Sequence, residues 1–310
     1  MVGCPTKLLN LEEKIMFKNK LLALALVITS LVVAFPSSSL AGAKMHGKIV
    51  KTERENAIIH TYVSSAEGTL ETSHIVETAN KLVIIDAQFL RSNADELKDY
   101  AESLGKPVDR IIITHSHPDH WFGLERFKDV PIHALPETIG EITTLGDIII
   151  QSKKPILGDL VTDITVVPEA EITEGKTVID GLTYKFEKIT DAEAGIQLLI
   201  KFPEINVLIA QDLVYNKVHL FIGQNTANNW QKVISELNNT KNYDVILAGH
   251  GAPASTEVYD RMLAYLDDVK TVLAESKTPE GVKNELMKKY PDYRGGLLID
   301  ISNSFLFAEK

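Results

Sequence analysis

Apolar positions along this chain fall into two sets of short, strand-like runs, each followed by stretches of helical spacing. The runs KIVKT, AIIHTYVSS, TLETSHIVET and KLVIIDAQ, between residues 48 and 88, are rich in Val, Ile and Thr and separated by Asn, Gly or Ala-Asn turns. That pattern predicts an antiparallel meander. Asn93 to Leu104 has the spacing of an amphipathic helix and is closed by Gly105-Lys106-Pro107. Asp109 to Thr114 is an apolar strand that delivers the chain into the polar loop HSHPDHWFG. Strand, helix, strand and polar loop make a βα unit with its loop at the strand's C-terminal end, where open α/β sheets place ligand sites. Residues 131–157 alternate short strand and helix signals. From Asp163 the second set begins: ITVVPE, KTVIDG, LTYKFEKIT, IQLLIKF and NVLIAQD. A helix near Ala227–Asn238, the strand DVILAGH, helical stretches near Thr256–Ser276 and Pro279–Lys289, and an apolar tail LLIDISNSFLF complete the chain. Two successive halves, each a meander with helices, predict an α/β fold in the form of a four-layer αββα sandwich.

The N-terminus follows another pattern. Leu21 to Phe35 is apolar apart from Thr29 and Ser30, is preceded by Lys18 and Lys20, and is followed by small residues at Ala41 and Ala43. A basic, apolar, small order of this length is that of a secretory signal, too short for a spanning helix. Residues 1–43 are therefore expected to be a signal peptide, with Met16 a candidate true start, and residues 44–310 the folded domain. Cleavage after Ala41 or Ala43 would release a secreted or periplasmic protein with no stable membrane insertion.

Composition narrows the chemistry. The formal net charge is −10, and the N-terminal segment carries four Lys against two Glu, so the remaining domain is more acidic still. No basic stripe occurs, which argues against a nucleic-acid partner and leaves a small molecule as the expected one. The single cysteine, Cys4, lies in the N-terminal segment. The domain thus lacks disulfides, thiolate ligands and a cysteine nucleophile, and it contains no G-x-S-x-G elbow. Nothing in the sequence fixes the oligomeric state.

The strongest chemical signal is His115-Ser116-His117-Pro118-Asp119-His120, which gathers three of the nine histidines into one polar loop. Residues two apart in an extended segment point the same way, so His115 and His117 can grip one ion while Asp119 and His120 turn toward a second. Imidazole and carboxylate are the ligands zinc accepts where no thiolate is available.

This loop resembles the H-x-H-x-D-H signature of the metallo-β-lactamase superfamily. The resemblance extends along the domain through Ile84-Ile85-Asp86, Val207 to Asp212, and Leu247-Ala248-Gly249-His250-Gly251. It implies a metal-dependent hydrolase with two divalent ions, zinc first among them. His115, His117 and a third ligand hold the first ion, Asp119, His120 and His250 hold the second, and Asp212 bridges. Asp119 and Asp212 carry the catalytic roles, with a metal-bound hydroxide as nucleophile and Asp119 passing the proton to the leaving group.

One element of the pattern is missing. Members normally supply a third histidine to the first ion, and here the matching loop is Thr190-Asp191-Ala192-Glu193-Ala194-Gly195. Counting back from Phe202-Pro203-Glu204 puts Glu193 at that position, with Asp191 the alternative if the alignment slips. An anionic ligand weakens the ion's pull on its water and suits harder ions, Mn²⁺ or Fe²⁺, at the first site. Trp121 and Phe122 after the metal loop, and His219 after Asp212, are candidates for the substrate pocket. The superfamily opens β-lactams, lactones and thioesters, cleaves phosphodiesters and includes iron enzymes, so the fold does not choose the substrate. Export favours small amides, esters or lactones. The altered third ligand also supports a different class of function, a non-catalytic metal- or ligand-binding protein on the same fold.

Overall fold

The computed structural model describes residues 47–224 and 226–308; the segment predicted to be a signal peptide lies outside them. Seven strands build the first sheet: β1 (Lys48–Arg54), β2 (Ala57–Val63), β3 (Thr72–Glu77), β4 (Leu82–Ile85), β5 (Val108–Ile113), β6 (Ile132–Ala134) and β7 (Ala170–Glu171), in that spatial order. The β1–β4 half is the predicted antiparallel meander, and β4 to β7 run parallel. The second sheet holds β8 (Gly175–Ile179), β9 (Leu182–Thr190), β10 (Ile196–Phe202), β11 (Val207–Tyr215) and β12 (Val245–His250), in the order β12-β11-β10-β9-β8. Its β8–β11 part is antiparallel, and β12 adds in parallel to β11.

The strands alternate side chains between two faces, and three apolar clusters record where those faces go. One lies between the sheets, where Val83, Ile85 and Ile112 meet Tyr184, Leu198, Ile200 and Ile209. A second joins the outer face of the first sheet, through Ile84, Ile111 and Ile113, to α1 (Arg91–Ser103), α2 (Pro118–Trp121) and α3 (Pro136–Leu157). The third joins the outer face of the second sheet, through Leu208, Val214 and Ile246, to α4 (Ala227–Thr240), α5 (Glu257–Glu275), α6 (Pro279–Lys289) and α7 (Gly296–Leu306). Three seams between four layers make the αββα sandwich that the two half-patterns predict.

Three segments differ from their sequence reading. Residues 131–157 hold one short strand and a single 22-residue helix, since Ile142, Gly146 and Ile150 recur on one helical face. ITVVPE is not a strand; only Ala170–Glu171 pairs with β6, the preceding Pro168 having no N–H to give a ladder. The apolar tail is a helix, α7, packed on the third cluster through Leu298 and Ile299. Among the described residues no helix is long and apolar enough to cross a membrane.

Candidate metal centre

Five segments converge at one edge of the sandwich. Asp86 follows the end of β4, β5 runs into Thr114 to His120, the β9–β10 loop carries Glu193, and β11 and β12 bring Asp212 and His250. Together they form two overlapping groups: His115, His117, Glu193 and Asp212, and Asp119, His120, Asp212 and His250. Within each group one ligand atom per residue lies within 4.8 Å of the others, and Asp212 belongs to both. Its Oδ1 stands 3.3 Å from His120 Nε2, and its Oδ2 stands 3.4 Å from His250 Nε2 and 3.7 Å from His115 Nε2. Glu193 Oε1 is 3.5 Å from His117 Nδ1, and Asp119 Oδ2 is 3.5 Å from His250 Nε2.

The outward nitrogens of the imidazoles show how these rings are held. His120 Nδ1–H donates to Asp86 Oδ2 at 2.9 Å, and His250 Nδ1–H donates to the Thr69 carbonyl at 2.9 Å. The Thr114 hydroxyl donates to Asp86 Oδ2 at 2.7 Å, so its oxygen is left to accept from His115 Nδ1–H at 3.1 Å. With the proton of the neutral ring on the nitrogen facing away from the cluster, each imidazole turns its Nε2 lone pair inward. Those three Nε2 atoms, and Asp212 Oδ1, are buried without a hydrogen-bond partner. Buried polar atoms are nearly always satisfied, so four orphans aimed at one centre mark a place for a ligand.

Asp86 anchors this arrangement, fully buried and accepting also from the Thr114 N–H at 2.8 Å and from the Gln211 amide. The Gln211 oxygen in turn accepts from His74 Nε2–H at 2.9 Å, and His74 Nδ1 meets Thr61 Oγ1 at 3.0 Å. Gln211 takes a left-handed backbone conformation, φ +46°, beside shifts in the β11–β12 register.

Charge is concentrated here as well. Burial pulls His120 and His250 down, but Asp212 and Asp119 outweigh it, raising His120 well above the ordinary histidine range and His250 to about 10. Asp119 and Asp212 are held well below the carboxylate range, the two histidines overcoming the effect of burial. Burial pushes Glu193 well up, and Asp212 and Asp119 add to the shift. The cluster draws positive charge to its centre, which a divalent cation supplies better than protons do.

Several residues stand elsewhere than the sequence suggested. Asp191 is exposed in a tight turn at φ +53° and belongs to neither group, whereas Glu193 is buried inside the first. Trp121 and Phe122 are each 1% exposed in the core beneath the loop, with the Trp121 indole donating to the Ser116 carbonyl, so neither lines a pocket. The helical turns of Pro118–Trp121 and Phe122–Arg126 face both side chains inward. His219 is also buried, its Nδ1 2.8 Å from the Tyr265 hydroxyl and its ring beside Tyr293. Phe221 does stand beside the cluster, edge-on to His117 at 5.3 Å.

Sequence reasoning missed Tyr215. Its hydroxyl donates to Asp212 Oδ2 at 3.0 Å and lies 3.4 Å from Glu193 Oε1, and burial pushes it well above the usual tyrosine range. Glu193 Oε2 also accepts from the Gln197 amide at 3.1 Å.

Comparison with known proteins agrees with this geometry. The family model of the metallo-beta-lactamase superfamily matches residues 67–250. The chain is 24% identical over 226 residues to the alkyl/aryl-sulfatase BDS1 of Saccharomyces cerevisiae, covering 59% of this chain and 35% of that protein. It is 25% identical over 185 residues to a linear primary-alkylsulfatase of a Pseudomonas species, covering 48% and 27%. It thus spans about a third of the length of these relatives. Among solved structures it resembles a metallo-beta-lactamase from Pontibacter korlensis, TM-score 0.57 at 20% identity, over 72% of this chain and all of that one. The DIM-1 metallo-beta-lactamase matches at TM-score 0.53 and 14% identity, over 73% and 99%. At these identities the structures speak for the fold.

Proposed function

The chain belongs to the metallo-β-lactamase superfamily, and on that premise we propose that it is an exported metal-dependent hydrolase of small esters, amides or lactones. One observation carries the reading: three imidazole Nε2 atoms and Asp212 Oδ1, buried and unpartnered, converge on one centre. Their donor set of nitrogens and carboxylate oxygens suits zinc, and manganese or iron at the more anionic first position. His115, His117 and Glu193 would hold one ion, Asp119, His120 and His250 a second, with Asp212 shared. Divalent ions held there supply Lewis acidity and an acidified water at neutral pH.

The chain's own residues do the rest. Asp119 is the most open carboxylate of the set, 19% exposed, and so the one that solvent reaches. Its Oδ2 takes a proton from the attacking water as the new bond to the electrophilic atom forms, then gives it to the leaving oxygen or nitrogen as the old bond breaks. Asp86, Thr114 and the Thr69 carbonyl keep the three imidazoles in the tautomer that presents Nε2. Tyr215 spans the two carboxylates that belong to the first group.

The two relatives named as alkylsulfatases add sulfate esters to the ester class worth testing first. Metal per chain, with turnover of aryl sulfate, aryl ester, lactone, thioester and β-lactam substrates, tests the reading. Full metal content with no turnover of any of them would favour the non-catalytic binding protein. Export is supported by the order of residues 16–43; N-terminal sequencing of protein recovered outside the cytoplasm should begin at Gly42 or Lys44, and a chain retaining Leu21 to Phe35 would contradict it.

A further inference from the structure

Three of the four imidazoles at the centre turn Nε2 inward, and the fourth is reversed. His117 brings Nδ1 to 3.5 Å from Glu193 Oε1, while its Nε2 points away and meets the Gln224 side-chain amide at 3.0 Å. It is also the least buried of the four rings, 18% exposed against 1% or less for the others. The outer partners of the other rings are committed: Asp86 and the Thr69 carbonyl can only accept, and the Thr114 hydroxyl gives its proton to Asp86. An amide is different, since its oxygen accepts, its nitrogen donates, and a half-turn about the last side-chain bond exchanges them. With the nitrogen toward the ring, Gln224 donates to Nε2 and the ring's proton lies on Nδ1, against Glu193. With the oxygen toward it, Nε2–H donates to Gln224 and the Nδ1 lone pair faces the first group.

Gln224 stands among residues that tie down both members peculiar to that group, His117 and Glu193. The Thr226 hydroxyl donates to the Ala192 carbonyl, and the Asn229 amide donates to the Thr190 and Asp191 carbonyls, at 3.0 Å each, so the start of α4 holds the loop that carries Glu193. Phe221 packs edge-on against His117, and one small cavity is lined jointly by Glu193, Phe221, Gln224 and Thr226. His120 and His250 are held from elsewhere, by Asp86 after β4 and by Thr69 before β3.

We propose that Gln224 is a positioning residue for the first ion: its amide oxygen accepts from His117 Nε2–H and so selects the tautomer that offers Nδ1 to a metal. Occupancy of the first position is then governed from the surface, through Gln224, and separately from the second. This rests on the two groups being metal sites, and not on what reaction they carry out. The partners of metal-bound imidazoles change metal affinity by about ten- to a hundredfold when removed.

The test strips the full chain of metal and titrates zinc back against a chromophoric chelator, with Glu193→Gln identifying the step that belongs to the first ion. Gln224→Met keeps the length of the side chain and removes the acceptor. It should raise the Kd of the first ion by about ten- to a hundredfold and leave that of the second within about twofold of the parent. Gln224→Glu, which can only accept, should bind the first ion at least as tightly as the parent. A second readout is the ring itself: in zinc-loaded protein carrying ¹⁵N-histidine, the His117 Nε2–H signal should be protected from solvent exchange in the parent and in Gln224→Glu, and exchange faster in Gln224→Met. A loss of packing alone would weaken the ion in both variants. First-ion affinity that is unchanged in Gln224→Met, weakened equally by both substitutions, or weakened together with that of the second ion overturns the proposal and leaves the two metal sites standing. A parent that takes up fewer than two ions overturns the two-site reading and the proposal with it.

Discussion

The ring of Tyr215 lies flat against that of His250, with centroids 4.6 Å apart and planes 7° from parallel. The same tyrosine sends its hydroxyl to Asp212 at 3.0 Å, so one side chain buttresses two members of the second group, one of them the carboxylate that joins it to the first. Tyr215→Phe keeps the stack and removes the hydrogen bond. Metal content should stay at the parent level while kcat falls about tenfold, the worth of one hydrogen bond to a charged group. Unchanged kcat would reduce Tyr215 to a packing role.

Tyr215 also shows why part of the centre could not be read from the sequence. In a regular strand, residues 212 and 215 point to opposite faces. Only the left-handed Gln211 and the shifted register of β11 against β12 bring both side chains to the centre. Such an irregularity leaves no periodic trace. The residues that gather at the centre were legible, because His115 to His120 are packed into one loop and Asp212 and His250 end apolar runs that could only be strands. Glu193 was legible by position alone; what distinguishes it from Asp191 is the turn that buries one carboxylate and exposes the other. Trp121, Phe122 and His219 were misplaced because proximity in sequence to a ligand says nothing about which side of the element faces solvent. The architecture followed from the two meander patterns, and the helix over 136–157 was hidden by its Thr, Gly and Ile content, which carries strand and turn signals alike.

The first group should depend on Glu193 and not on Asp191. Glu193→Gln should lower metal content from two ions toward one per chain, with the ion held by Asp119, His120, Asp212 and His250 retained. Asp191→Asn should leave the content unchanged, since that side chain is exposed and outside both groups. Elemental analysis of dialysed protein measures both. Loss of metal in Asp191→Asn alone would reverse the assignment.

The second group should fail through His120. His120→Ala removes an Nε2 that stands 3.3 Å from Asp212 and leaves Asp86 without its imidazole partner. Circular dichroism should show a folded domain, since α1, β4 and β5 retain their apolar contacts, while turnover drops at least about a thousandfold with loss of an ion and its chemistry. Parent-level metal content and turnover in this variant would show that His120 is no ligand.

Gly249 should be irreplaceable for a steric reason. A Cβ built there would lie 1.8 Å from Asp212 Oδ1 and 2.6 Å from the Asp212 backbone nitrogen, and neither can retreat far from the strand pair that fixes them. Gly249→Ala should therefore displace the shared carboxylate and reduce occupancy of both ions, with a loss of stability of about 1–3 kcal/mol from overpacking. Two ions bound at parent affinity in this variant would mean that Asp212 is not shared.

His219 should make the fold acid-sensitive independently of the metal centre. Burial lowers its pKa to about 4, and its Nε2 has no partner to share a positive charge. An unfolded histidine titrates near 6.5, so between about pH 6.5 and pH 4 the unfolded chain binds the proton that the folded one refuses. The neutral ring's contribution is complete above that window, declines as pH falls through it, and changes no further below about pH 4. Its size is of the order of 2–3 kcal/mol. His219→Gln cannot charge, so the stability of the parent relative to this variant should fall by that amount from pH 7 to pH 4, measured by urea unfolding of both proteins in the same buffers. Because both chains carry the same metal centre, acid loss of metal cancels in the difference. A pH-independent difference would mean that His219 is protonated in the folded state or accommodates the charge by moving.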